Sequence, residues 1–185
     1  MKIAVIAWGS LIWDPRELSI TGTWKKGGPH LPIEFARISQ DGRLTLVIMP
    51  CAELQPTFWA LSRHSDLVSA SEELRRREGT ILHHIHAFER DADPHGRVSR
   101  NAYDVVASWL HQSGCDAAIW TGLPSNWKEK RNTDFSPERA VDYFRELISK
   151  GEHHKAEEYV RRTPRSIRTP VRRLCEEVLG WCLRE

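Results

Sequence analysis

The chain has 185 residues, of which 40% are hydrophobic, with a formal net charge of +2. That is enough chain for one well-buried core with a helical appendage, and too little charge to draw the whole molecule to nucleic acid or an anionic membrane. The four cysteines, Cys51, Cys115, Cys175 and Cys182, show no C-x-x-C spacing, so free thiols in a reducing compartment are expected rather than a disulfide frame.

Residues 3–13, reading I-A-V-I-A-W-G-S-L-I-W, begin as a short apolar run with β-branched members, the pattern of a buried strand. Gly9-Ser10 punctuates it. Such side-chain-poor residues leave backbone N–H groups unobstructed, and successive N–H groups in a turn can converge on an anion. Asp14-Pro15-Arg16-Glu17 then reads as a helix start, with an N-cap acid, proline at the first helical position and a glutamate at the third. Trp8 and Trp13 would wall this turn, and an ordinary tight turn with no ligand is the competing reading. The chain carries eight tryptophans, and Trp8, Trp13, Trp24 and Trp127 sit near turn residues. That placement suits either a pocket lining or plain core filling.

Gly27-Gly28-Pro29 ends an irregular segment. Residues 31–39 and 44–49, joined across Asp41-Gly42, read as a β-hairpin, and 58–61 as a further strand. A helix is expected over 65–77, capped by Ser65 and stopped by Gly79. A strand over 81–88, a polar turn over 91–96, a helix over 99–111 and a last strand over 115–120 follow. In the second helix Ala102, Val106, Trp109 and Leu110 share one stripe. From Ser136 onward everything reads as helical, with Ser136-Pro137 and Thr169-Pro170 as N-cap and N1 pairs. Ala140, Phe144, Leu147 and Ile148 form one apolar stripe there; Val171, Leu174, Val178 and Cys182 form another. Strands gather early and helices late, which predicts an α+β fold: a domain over 1–135 and a helical extension over 136–185, packed on that domain or on a second copy as a homodimer. No basic leader or long apolar run is present, so neither export signal nor membrane span is expected and the cytoplasm is the expected location.

The helix over 65–77 is the most informative. Leu67, Ala70 and Leu74 form its buried stripe, and the next position on that stripe is Glu78. Glu72 has Arg76 at i+4 and Glu73 has Arg77, whereas Glu78 has no such partner by spacing, although Arg75 stands three residues before it. Burial and the helix C-terminus both work against a fixed negative charge at Glu78, the circumstance that suits a general acid/base. The bland alternative is a frayed end with Glu78 in water.

At these two places the sequence resembles the γ-glutamylcyclotransferase-like family. W-G-S-L after the first strand, Trp8 to Leu11, is similar to that family's Tyr-Gly-Ser-Leu loop, with Trp8 where the family carries tyrosine. The stretch 58–79, F-W-A-L-S and then L-V-S-A-S-E-E-L-R-R-R-E-G, resembles its strand–helix segment ending in Glu-Gly. The resemblance covers about the first half of the chain. It implies a small mixed β-barrel flanked by helices, with Glu78 as catalytic acid/base and Trp8, Gly9, Ser10 and Leu11 as the loop that holds the γ-glutamyl moiety. It also implies cyclisation of a γ-glutamyl amine or peptide to 5-oxoproline. The α-amine curls onto its own γ-carbonyl, one carboxylate moves the proton from the α-ammonium to the leaving nitrogen, and loop N–H groups hold the carboxylate or oxyanion. Such chemistry needs no metal, cofactor or covalent nucleophile.

Other constellations carry competing readings. His83, His84 and His86 cluster, and His84 and His86 would share a strand face as metal ligands might, but no carboxylate or cysteine stands at a telling distance. Arg161, Arg162, Arg165, Arg168, Arg172 and Arg173 form a basic run that could face nucleic acid or phosphate; Glu157, Glu158, Glu176 and Glu177 nearly offset it, which favours a solvated face. The expected partner is therefore a small γ-glutamyl compound. The alternative is an inactive cyclotransferase-like scaffold that binds a small anion or a partner protein.

Overall fold

The computed structural model describes residues 1–92 and 100–182, the side chains of Arg100 and Asn101 excepted. Its strands, in chain order, are β1 Ile3–Ala7, β2 Ile20–Lys26, β3 Leu31–Ile38, β4 Leu44–Ile48, β5 Leu54–Gln55, β6 Phe58–Ser62, β7 Ile85–Glu89 and β8 Ala117–Thr121. Its helices are α1 Leu67–Glu78, α2 Arg100–Ser113, α3 Trp127–Arg131, α4 Pro137–Ser149, α5 His154–Arg162 and α6 Pro170–Leu179. The fold is mixed α+β, with strands in two sheets and no closed barrel among the described residues. Two compact units divide the chain: Met1–Leu31 with Pro56–Leu123, and Pro32–Gln55 with Pro124–Glu185. A cut near residue 135 is what the sequence suggests; in the structure the hairpin segment Pro32–Gln55 is grouped with the helical C-terminal part instead.

The first unit is built on a five-stranded sheet of order β2-β6-β1-β8-β7, with β1 and β8 parallel and the other neighbours antiparallel. β1 lies at its centre, and every one of its residues is buried. A strand apolar at each position has to be covered on both faces, and here it is. Ile3, Val5 and Ala7 join Ala117 and Ile119 of β8 in the core cluster that holds Ala70 and Leu74 of α1. On the other face, Trp120 of β8 and Phe88 of β7 pack against Tyr103 of α2, the rings 5.1 and 6.2 Å apart. Trp59 of β6, paired in register with Ile6, meets Trp109 of α2 at 5.5 Å. Each buried aliphatic side chain contributes about 1.5–3 kcal/mol, so the run 3–7 is the segment on which this unit depends most. Gly122 has a specific reason to be glycine: a Cβ there would collide with the His86 imidazole.

The second unit holds a three-stranded sheet of order β4-β3-β5 and the helices α3 to α6. β3 and β4 form the expected antiparallel hairpin, turned at Gly42 with φ +78°. Ser136 and Thr169 cap α4 and α6 as expected, accepting from the N–H groups of Arg139 and Arg172 at 3.3 Å each. Ala140, Val141, Tyr143, Phe144 and Leu147 form the buried face of α4, with Phe144 against Trp181 at 4.9 Å. In α6 the buried face is Val171, Arg172 and Cys175, so the stripe expected through Leu174 and Val178 is displaced by one position. The reason is Arg172. Its guanidinium is sequestered by the carbonyls of Pro164 and Ile167, at 2.6 and 2.8 Å, and by Glu176 at 3.2 Å, which lets a cation occupy a core position.

Several local expectations are corrected. Residues 14–17 form no helix; Leu18 N–H bonds to the carbonyl of Pro15 at 3.1 Å and closes a turn through Arg16, whose φ is +54°. The irregular segment before Gly27 contains β2, an edge strand of mostly exposed residues whose polar pattern hides it. Residues 82–84 make a single 3-10 turn before β7. Asp66, and not Ser65, caps α1, its carboxylate accepting from the Ser69 N–H at 2.8 Å. The polar turn expected over 91–96 lies outside the described residues beyond Ala92. No described helix is long and apolar enough to cross a membrane.

Candidate functional site

The loop after β1 and the C-terminal end of α1, both in the first unit, carry the residues that the sequence singles out. Ser10, Leu11 and Ile12 form one 3-10 turn. The N–H groups of Ile12, Trp13 and Asp14 bond back to Gly9 and Ser10 carbonyls at 3.0, 3.2 and 2.8 Å, whereas those of Ser10 and Leu11 precede the turn's first donor. Trp8, Gly9 and Leu11 are buried and Ser10 is half-buried. Leu11 belongs to the core under α1, so of this loop it is Ser10 that offers a polar side chain.

Glu78 is the last residue of α1, and Gly79 follows in the left-handed region at φ +62°. The Gly79 N–H bonds to the Arg76 carbonyl at 3.1 Å and the Thr80 N–H to that of Arg75 at 3.2 Å, the paired closure that a left-handed residue after a helix permits. This fixes where the chain leaves the helix and so where the Glu78 side chain starts. Its exposure is 16%, which excludes the frayed, solvated end.

Glu78 is not alone. Arg77 Nη1 donates to Glu78 Oε1 at 2.7 Å. The same guanidinium donates from Nη2 to Ser10 Oγ at 3.2 Å and to the Asp14 carbonyl at 2.6 Å, and from Nε to that carbonyl at 3.1 Å. One buried cation therefore ties the α1 end to the loop after β1. The expected pairing of Arg77 with Glu73 does not occur: Glu73 accepts from the N–H and hydroxyl of Ser19 at 2.9 and 2.8 Å. Glu72 does pair with Arg76, at 3.3 Å, and more closely with Arg75 at 2.7 Å. Sequence reasoning missed Arg77, although the signal was present: it stands three residues after Leu74 and seven after Ala70, on the buried face.

Chemically, the group supplies a carboxylate whose Oε2 accepts no hydrogen bond among the described residues and the Ser10 hydroxyl, both bonded to one guanidinium whose donors are largely committed, while the N–H groups of Ser10 and Leu11 belong to the same loop as that hydroxyl. The buried ion pair is held by further hydrogen bonds, as such a pair has to be to offset its desolvation.

The other sequence candidates resolve differently. The three histidines of 83–86 do not converge. His84 Nδ1 lies 2.9 Å from Thr80 Oγ1, and His86 stacks on Tyr103 at 5.5 Å. Five of the six arginines of the basic run are paired: Arg161 with Glu157 at 2.7 Å, Arg162 with Glu158 at 3.2 Å, Arg168 and Arg172 with Glu176 at 2.9 and 3.2 Å, and Arg173 with Glu53 at 2.8 Å. Phosphate binding would have to compete with those carboxylates. In the second unit, a cavity of about 510 Å³ is lined by Arg37, Ser39, Ser125, Asn126 and Lys130 among others, and none of the candidate catalytic or binding residues read from the sequence borders it. No family model, curated protein or solved structure matches this chain.

Proposed function

We propose that Glu78 and the loop at Trp8, Gly9, Ser10 and Leu11 form a γ-glutamylcyclotransferase-like site that cyclises a γ-glutamyl amine or peptide to 5-oxoproline. The observation that supports this is the shared guanidinium: Arg77 bonds Glu78 at 2.7 Å and Ser10 Oγ at 3.2 Å, which brings together two motifs far apart in sequence. In this reading Glu78 Oε2 takes the proton from the substrate's α-ammonium and returns it to the leaving nitrogen. The N–H groups of Ser10 and Leu11 cover the developing oxyanion or the α-carboxylate. Arg77 holds both in place and spends its donors inside the protein. The finer fold assignment, a small barrel of the cyclotransferase-like type, belongs to the same proposal and rests on the order of the W-G-S-L and E-G motifs. A reducing, cytoplasmic setting is supported by the four free cysteines.

A second reading has its own support. Glu78 Oε1 is already engaged by Arg77, and Trp8 brings no phenolic hydroxyl to the loop. A scaffold that binds a small anion without turning it over would look like this. Release of 5-oxoproline from a panel of γ-glutamyl amines and dipeptides decides between them. The enzymatic reading expects turnover by the wild type and a fall of about 10²–10⁴-fold in Glu78→Gln, with ligand binding retained. Wild-type protein that binds 5-oxoproline but turns over nothing on the panel would favour the scaffold. A fully active Glu78→Gln variant would remove Glu78 from the mechanism.

A further inference from the structure

The second unit contains a group that neither reading uses. His153, His154 and Glu157 stand at the start of α5, and their ligand atoms all lie within 4.8 Å of one another; among the described residues no other set of three His, Cys, Asp or Glu side chains converges in this way. The local backbone explains it. His153 precedes α5 but already has helical dihedrals, φ −79° and ψ −18°, and the Glu157 N–H bonds to its carbonyl at 2.9 Å. Positions i and i+4 of one helical turn therefore bring His153 and Glu157 to one face, and His154 at i+1 joins them through the close approach of its ring to that of His153. The rings of His153 and His154 are 4.3 Å apart, and His153 Nε2 is 3.9 Å from Glu157 Oε2.

We propose that His153, His154 and Glu157 form a binding site for a divalent late first-row cation of the zinc type. Two observations converge on it. The donor set, two imidazole nitrogens and one carboxylate oxygen, is that of zinc sites which keep a fourth position for water, and imidazole favours zinc, copper or nickel over magnesium or calcium. The Glu157 carboxylate is divided: Arg161 Nε holds Oε1 at 2.7 Å, while Oε2 faces His153. Arg161 is itself held by the carbonyls of Cys182 and Gly180 at 2.7 and 3.2 Å, so the ligating carboxylate has the outer-shell support that metal ligands ordinarily need.

Tetrahedral zinc with bonds of 2.0–2.1 Å places its ligand atoms about 3.3 Å apart. The group therefore closes on the ion by a small side-chain rotation, chiefly of His154, which is exposed. The helix N-terminus opposes a cation, at a cost of about fivefold in affinity; the Glu157 charge works the other way.

The test is calorimetric titration of the full chain with zinc chloride near neutral pH, with magnesium chloride as control, on the wild type, His154→Ala and Glu157→Gln. His154→Ala removes an exposed ligand and leaves the Glu157–Arg161 pair in place, so it keeps the fold; circular dichroism checks this. Expected is one zinc per chain at micromolar concentration or tighter, no magnesium uptake, and weakening of at least about tenfold in each variant. Wild-type protein that takes up no zinc below millimolar concentration, or zinc binding undiminished in folded His154→Ala, would overturn the site.

Discussion

Arg77 concentrates the consequences of the proposed site in one side chain. Its exposure is 6%, and it supplies four hydrogen bonds to Glu78, Ser10 and the Asp14 carbonyl. Arg77→Met keeps the buried stem and deletes the donors, leaving Glu78 and the Asp14 carbonyl without their partner. We expect a loss of about 1–3 kcal/mol in urea unfolding, against a few tenths for Arg76→Met, whose side chain is 70% exposed. Equal effects would mean that the Arg77 network carries no weight. Glu34 in β3 is a second buried charge. Burial pushes its carboxyl above the ordinary value, and the Thr169 hydroxyl and the N–H groups of Phe35 and Val171 only partly offset this. A carboxyl raised on folding contributes stability that is complete below its unfolded value and lost as pH rises through its folded value. Wild-type stability should therefore decline from about pH 4 towards neutrality on account of this group. Glu34→Gln should flatten that decline, as measured by urea unfolding across the same range. A variant whose profile parallels the wild type would show that Glu34 does not titrate there.

At the scale of elements, α1 matters most because its end places Glu78. Gly79 has φ +62°, and a Cβ built there meets nothing within 4 Å. Gly79→Ala is therefore a conformational change without a clash, and should cost about 1 kcal/mol. If Glu78 needs this helix end, 5-oxoproline release should fall along with thermal stability; stability falling with activity unchanged would separate the cap from the site. The element also shows what a sequence can disclose. The α1 stop at Gly79, the hairpin at Gly42 and the caps of α4 and α6 were legible because each is written in local chemistry. β2 was not, since an exposed edge strand has no apolar alternation to read. The 14–17 turn misled because proline after aspartate suits a turn as well as a helix start. Of the proposed site, Glu78 and Ser10 are legible from motif and position and Arg77 from its spacing on the buried face, whereas the partners of Arg77 are not, because the Asp14 carbonyl reaches it only through the tertiary fold.

At the scale of the molecule, the segment Pro32–Gln55 is far in sequence from the helices it is grouped with, and nothing in a linear pattern announces such a grouping. The cysteines give a way to follow each unit by itself. Cys51 and Cys182 are exposed, while Cys115 of the first unit and Cys175 of the second are buried. Burial, with Glu34 and Glu176 nearby, pushes the Cys175 thiol up to about 12. At pH 8 such a thiol presents roughly 10³-fold less thiolate than an ordinary one, so even a reagent that reached it would react slowly. Native protein with a disulfide reagent should therefore release two equivalents quickly, and peptide mapping should place them at Cys51 and Cys182. In rising urea, modification of Cys115 reports opening of the first unit and modification of Cys175 opening of the second. A chain that folds all-or-none exposes both at one midpoint, whereas separate midpoints would assign each unit a stability of its own. Rapid labelling of Cys115 or Cys175 without urea would contradict the burial on which both cores depend.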